Sequence, residues 1–357
     1  MLPREVHEKI IAQWYDWNGM EVPLVEVSHR SEKFLALMEK LENDMREIMS
    51  IPNNYHVLFL HGGGQMQFSA VPLNLMGKNN HADYLVYGHW SHLACEEVKH
   101  YGQVQEINLL TQETPLSLIP EKDWSLNPDA AYTYYCSNET ISGIALPFIP
   151  TSKASLVVDM SSDVLSKPVD VSKFGVIFAC TQKNMGVPGL AVVIVRDDLL
   201  DQAMPWVPSV LNYKKQAEAG SVLNTVNTFA CYVTSLVLDW TRKQGGLKAM
   251  QIINERKAKK LYDYIDASKF YINQVAPSYR SMMNACFFLP TPDLEQAFLQ
   301  QAHDRGLLYL KGHKVSGGIR ASLYNAMPEE GVDCLIEFMQ MFAASNMQQT
   351  SVLLQNN

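Results

Sequence analysis

The sequence predicts an α/β fold: a large unit with a mostly parallel, doubly wound sheet, followed by a smaller C-terminal α+β unit. Two observations predict it. Short apolar runs bounded by Gly, Pro or Asn alternate with helical stretches up to about residue 228, and strands alternating with helices assemble as a mostly parallel sheet. Beyond Thr228 the pattern turns helical until the pair Gly245 and Gly246 interrupts it, a break that suits a unit boundary. A chain of 357 residues also exceeds what one small core organises. The expected division is 18–245 for the large unit and 246–357 for the small one, with the N-terminal helix 1–17 joining the small unit.

The elements follow in order. Apolar residues recur at helical spacing in PREVHEKIIAQWYDW and in SEKFLALMEKLENDMREIM, and Ser31 is placed to cap the second helix. The runs YHVLFLH, DYLVYG, AAYTYYC, SLVVDM, FGVIFAC and LAVVIV read as strands, with helical stretches such as SHLACEEVKHYG between some of them. FACYVTSLVLDWTRKQ and LKAMQIINERKAKKLYDYI read as helices on either side of the glycine pair. In the small unit, NACFFLP and GIRASLY are strand-like, LEQAFLQQAH and EEGVDCLIEFMQMFAAS are helical, and the tail SNMQQTSVLLQNN is expected to fray.

Composition excludes several classes of function. A hydrophobic share of 47% with 18% charged residues is that of a globular protein. No apolar run approaches the ~20 residues of a membrane span, and MLPREVHEKI has no signal-like apolar stretch, so a soluble cytoplasmic protein is expected. Cys95, Cys136, Cys180, Cys231, Cys286 and Cys334 are scattered and form no CxxC pair, as in a reducing compartment. A formal charge of −8 with no basic run speaks against nucleic acid. An anionic ligand would therefore need cations concentrated in its own site.

Several local patterns carry chemistry. HGGGQMQF follows an apolar strand and precedes a helix; its glycines allow close backbone approach and the helix start offers free N–H groups to a phosphate, although an ordinary tight turn has the same signature. It is neither a Walker A loop nor a dinucleotide fingerprint. Lys183 lies in a Gly/Pro-rich turn between FGVIFAC and LAVVIV. Desolvation there would lower its pKa and make it a nucleophilic, Schiff-base lysine; the competing reading is a lysine that snorkels from a strand end. Asp159 ends the strand SLVVD, at the sheet edge where doubly wound folds hold ligands, and could keep a pyridine nitrogen protonated or only cap a turn. Trp90 in YGHWSH could stack on a flat ring or sit in the core. Thr140 in CSNETISG could reach a ring oxygen or cap a helix. His89, His92, Cys95 and His100 have helical metal spacing, but no second cluster completes a structural zinc site and no metal is expected. No G-x-S-x-G elbow is present.

Taken in order, VSHR, HGGGQMQFSAVPLNL, YCSNETISG, DMSSDVLSKPVDVSKFG, TQKNMGVPGL, LNTVNTFACY and GHKVSGGIRASLYNAMP closely resemble the phosphoserine aminotransferase family, class V aminotransferases of the pyridoxal 5'-phosphate fold type I. The resemblance spans nearly the whole chain. It implies that Lys183 carries the cofactor covalently, Asp159 pairs with its ring nitrogen, Trp90 stacks on the ring and Thr140 bonds the ring hydroxyl oxygen. Gly64, Gln65 and Gln182 would contact the cofactor phosphate, joined by Asn224 and Thr225 from the other subunit of a homodimer. His29, Arg30, His313 and Arg320 would hold substrate carboxylate and phosphate, for which bidentate Arg is suited. The implied reaction is ping-pong amino transfer between glutamate and 3-phosphohydroxypyruvate, giving phosphoserine and 2-oxoglutarate in serine biosynthesis. The related four-carbon phosphorylated substrate of vitamin B6 synthesis is a further candidate.

Two departures from that pattern stand out. Relatives open with a further segment containing FNF…GP, whereas this chain begins MLPREV; weaker substrate contacts are the expectation. Gln65 and Lys314 stand where many relatives have arginine, which would rearrange phosphate recognition. The competing functions are another class V aminotransferase, of the alanine or serine–glyoxylate type, and a chain that binds the cofactor without turnover.

Overall fold

The computed structural model describes the backbone of residues 1–354 and the side chains through residue 346. Two helices open the chain, α1 (Arg4–Ala12) and α2 (Glu32–Met49). The Ser31 side chain accepts from the Phe34 N–H at 3.3 Å, making it the N-cap of α2. There follow β1 (Tyr55–Leu60), α3 (Gly63–Leu75), β2 (His81–Val86), α4 (His89–Val98), β3 (Gln103–Asn108) and β4 (Tyr132–Cys136). A small hairpin, β5 (Asn138–Glu139) and β6 (Ile144–Ala145), precedes β7 (Ser155–Asp159), β8 (Val176–Cys180) and β9 (Ala191–Arg196). The remainder comprises α5 (Tyr213–Glu218), α6 (Thr228–Lys243), α7 (Gly246–Ala267), β10 (Asn284–Phe287), α8 (Pro292–Asp304), β11 (Ile319–Ser322) and α9 (Glu329–Leu354).

Among the described residues a seven-stranded sheet has the order β1-β9-β8-β7-β4-β2-β3. All its strands run one way except β9, which is antiparallel to both β8 and β1. Successive residues along each strand enter different cores. Val57, Phe59, Leu85, Val158 and Ile177 belong to one, whereas Leu58, Leu60, Tyr84, Val157 and Phe178 belong to the other. A strand covered on both faces has no polar side to show, which is why these segments read as unbroken apolar runs. β3 was not among the expected strands. It is the edge strand, paired with β2 alone, and its sequence QVQEIN is partly exposed and polar.

The C-terminal residues form a third core in which α7, α8 and α9 cover the antiparallel pair β10–β11. Phe298 is fully buried at its centre, 4.8 Å from the Phe338 ring; truncation of such a side chain to alanine costs about 3–5 kcal/mol. Val6 and Trp17, by contrast, are buried in the first core beside α6 residues, with Trp17 edge-on to Tyr232. The N-terminal segment thus rests on α6 and not on the third core, because its apolar stripe faces the helix that covers the large sheet. α9 continues to Leu354, beyond the point where the tail was expected to fray; residues 355–357 lie outside the described residues.

This topology gathers the functional candidates. With β1, β2, β4, β7 and β8 parallel, their carboxyl ends meet at one edge, and each is followed there by a loop or turn bearing polar residues.

Candidate active site

A cavity of about 280 Å³ opens at this edge, lined among others by Gly64, Gln65, Trp90, Asp159, Gln182 and Lys183. They arrive from four strand ends: Gly64 and Gln65 after β1, Trp90 after β2, Asp159 at the end of β7, and Gln182 and Lys183 after β8. β1 delivers the glycine turn, in which Gly62 takes φ +87° and a Cβ would stand 2.4 Å from the Cβ of Met66; only glycine fits there. No side chain caps the start of α3, so its first N–H groups, at Gly63, Gly64 and Gln65, face a cavity lined by the same residues.

Asp159 ends β7 and is 5% exposed, in register between Cys136 on β4 and Phe178 on β8. Its Oδ1 accepts from the Ser161 N–H at 2.8 Å. Burial pushes its carboxyl above the usual range, opposed by the Ser161 bonds and by the Lys183 charge.

Lys183 follows β8 in a turn closed by the Thr181 hydroxyl, which donates to the Val187 carbonyl at 2.5 Å. Its Nζ stands 5.8 Å from the centroid of the Trp90 ring. The expectation of a lowered pKa is corrected here. Burial does push the amine down, but Tyr324, Cys180, Asp159 and Cys136 together outweigh it and the net shift is upward. These groups lie on four separate segments, so their convergence has no local trace in the sequence.

Trp90 occupies the first turn of α4. Its indole N–H donates to the Thr140 hydroxyl oxygen at 2.9 Å and its backbone N–H to Glu139 Oε2 at 2.9 Å. Thr140 therefore reaches the site through the indole. Arg320, on β11, points a guanidinium nitrogen at the Thr140 carbonyl at 3.5 Å, and its Nε is buried without a partner. The His313 ring lies 5.5 Å from the His89 ring, which is 5.3 Å from that of Trp90. Burial and the neighbouring His313, His92 and Lys314 push His89 down. Arg320, His89 and His313 thus gather on the side of Trp90.

Other expected residues stand apart from the cavity lining. His29 has a buried Nε2 without a partner, and Arg30 is exposed, its backbone N–H donating to the Ser28 hydroxyl at 3.2 Å. Asn224 accepts from Gln216 at 3.1 Å, and the Thr225 carbonyl lies 2.5 Å from His61 Nε2, next to the glycine turn of its own chain. The helical metal spacing does not gather: Cys95 is buried, while His92 lies with Glu96 and Glu106 in an exposed group of a kind common without an ion. No helix among the described residues is long and apolar enough to cross a membrane.

Sequence reasoning missed Asn138, Ser161, Ser162, Cys136 and Cys180, all lining the cavity. The two cysteines end the strands β4 and β8, so the strand-end rule applied to Asp159 would have found them. Asn138 lies in the two-residue strand β5 and the serines in a turn, both too short to carry a periodic signal.

The donor set fits a phosphorylated pyridine aldehyde: an amine, a buried carboxylate, an indole face and an uncapped helix start share one cavity. The Aminotransferase class-V family model matches residues 1–335. The phosphoserine aminotransferase of Acinetobacter baumannii is 49% identical over 97% of this chain and 96% of its own length. That of Coxiella burnetii is 46% identical over 96% of this chain and 95% of its own. Among solved structures, a PLP-bound phosphoserine aminotransferase from Trichomonas vaginalis superposes with a TM-score of 0.91 at 38% identity, covering 95% of this chain and 97% of the other. The enzyme from Bacillus circulans subsp. alkalophilus gives 0.92 at 35% identity, covering 97% and 96%. Motif order, sheet-edge geometry and these matches agree that the chain belongs to the class-V aminotransferases, PLP-dependent enzymes of fold type I, and within them to the phosphoserine aminotransferase family.

Proposed function

We propose that the protein transfers an amino group from glutamate to 3-phosphohydroxypyruvate, forming O-phosphoserine for serine biosynthesis, with Lys183 as the reacting amine. The observation that carries this reading is the joint placement of Lys183 and Asp159 in one cavity beside Trp90 and the uncapped start of α3. Pyridoxal 5'-phosphate, when bound, supplies an electron-withdrawing ring that acidifies the substrate Cα–H. Lys183 is the residue to hold it, Asp159 the residue to keep its ring nitrogen charged, and the N–H groups of Gly64 and Gln65, with Gln182, the donors to its phosphate. The freed Lys183 amine is then the base that moves the Cα proton. Arg320 and His313 on the Trp90 side, with His29 and Arg30, are the residues to hold substrate carboxylate and phosphate.

Further parts of the reading rest on family likeness: a homodimer in which Asn224 and Thr225 serve the partner's cavity, and action in the cytoplasm. The latter is supported by six cysteines that are all free in the structure. Glutamate consumption with 3-phosphohydroxypyruvate should exceed alanine or serine consumption with glyoxylate by at least tenfold in kcat/KM. The reverse preference would place the protein in the glyoxylate branch.

A further inference from the structure

Glu139 is a carboxylate with no exposed surface, in a position that none of the chemistry above uses. It sits at the end of β5, and its carboxylate reaches across to the start of α4, a helix capped by Gly88, which has no side chain to offer. Both oxygens are engaged there. Oε2 accepts the Trp90 N–H at 2.9 Å, and Oε1 accepts the Ser91 N–H and the Ser91 hydroxyl, each at 2.7 Å. The Ser91 oxygen in turn accepts from the N–H groups of Tyr87 at 3.1 Å and Gly88 at 3.2 Å, so the whole turn leading from β2 into α4 hangs on this carboxylate.

Three features make this more than an ordinary cap. An anion at a helix start is favoured by the helix dipole, yet here it is supplied by a remote segment, so it fixes where the helix stands as well as that it forms. The approach is so close that a Cβ on Gly88 would lie 2.3 Å from Glu139 Cδ. The following residue, Thr140, takes the indole N–H of the same tryptophan at 2.9 Å. Trp90 is thus held by backbone and by ring from two consecutive residues, while Asn138, just before them, lines the cavity.

We propose that Glu139 is the positioning residue for Trp90: by docking the first turn of α4 onto the β5 segment, it sets the indole at the cofactor ring. The inference rests on the reading of Trp90 as the residue that covers that ring. Glu139→Gln keeps the volume but points an amide NH₂ at one of the N–H donors, so α4 loses part of its anchor and the indole its fixed height above the cavity.

The test is a double-mutant cycle on pyridoxal 5'-phosphate affinity. Dissociation constants and the induced circular dichroism of the bound cofactor are measured for wild type, Glu139→Gln, Trp90→Ala and the double variant. Glu139→Gln should weaken binding by about tenfold and change the induced signal in the wild-type background, a loss typical of one charge-assisted bond. In the Trp90→Ala background it should cost less than about twofold, because there is no ring left to position. Equal cost in both backgrounds, or no cost in either, overturns the role of Glu139 while leaving Trp90 at the ring. If Trp90→Ala alone binds cofactor as wild type does, the ring contact itself is wrong and the inference falls with it. Should Glu139→Gln fail to fold, Ser91→Ala, which removes one of the three donors, is run through the same cycle with the same criteria.

Discussion

The backbone N–H of Asn325 donates to the Asn184 side-chain oxygen at 3.0 Å, tying the end of the C-terminal strand pair to the residue that follows Lys183. Asn184 is buried and also donates to the Val164 carbonyl at 2.9 Å, and Asn325 donates to the Leu165 carbonyl at 2.8 Å. The turn bearing Lys183 is therefore braced by a segment far along the chain. Asn184→Ala should destabilise the protein by about 1–3 kcal/mol, since it strands buried partners, and lower turnover with it. Chemical denaturation beside steady-state kinetics measures both; unchanged turnover in a folded variant would show that the brace does not set Lys183.

Asp159→Asn should bind pyridoxal 5'-phosphate less tightly and slow removal of the substrate Cα proton by orders of magnitude, because a neutral amide cannot keep the ring nitrogen charged. Single-turnover rates with Cα-deuterated glutamate report that step directly. A near-normal rate would reduce Asp159 to the cap of the Ser161 turn.

Mixed dimers test the expected sharing of sites. Lys183→Ala chains combined with chains carrying both Asn224→Ala and Thr225→Ala should regain activity, since one hybrid site then contains only native residues. If subunits exchange and both parents are inactive, the absence of recovery would assign Asn224 and Thr225 to the cavity of their own chain, where Thr225 already stands beside His61.

Lys257 has no exposed surface, and its ammonium donates to the carbonyls of Leu323 at 3.0 Å, Tyr324 at 2.9 Å and Met327 at 3.0 Å. Burial pushes its pKa down to about 8, against a small upward pull from Glu329. The unfolded chain titrates this group near ~10.4. Between those values the unfolded state holds more protons, so this residue makes stability rise with pH from about 8 to about 10 and has no pH effect well below 8. Lys257→Met should lose that rise, and at neutral pH it should cost about 2–4 kcal/mol through the carbonyls left without a donor. Urea unfolding of both proteins at pH 7, 8.5 and 10 gives the comparison, and parallel pH profiles would contradict the shifted titration.

What the sequence determined on its own was whatever short-range physics writes into consecutive residues. Unbroken apolar runs mark β1, β2, β4, β7, β8 and β9 because both faces of the sheet are covered, and Ser31 announces the start of α2 because capping is a bond between near neighbours. Lys183, Asp159 and Trp90 could be singled out for the same reason, each lying just at or beyond the end of such a run. Motif order then pointed to the family. β3 escaped because an edge strand is not required to be apolar. The tertiary structure alone decided which groups meet. Glu139 reaches Trp90, Asn325 reaches Asn184 and Lys257 reaches Leu323 across chain separations that no helical or strand period can encode. The upward shift of Lys183 has the same origin, since Tyr324, Cys180, Asp159 and Cys136 become its neighbours only when parallel strand ends and the segment after β11 come together. A charged group's environment is a sum over contacts in space, and those contacts exist only after the chain has folded.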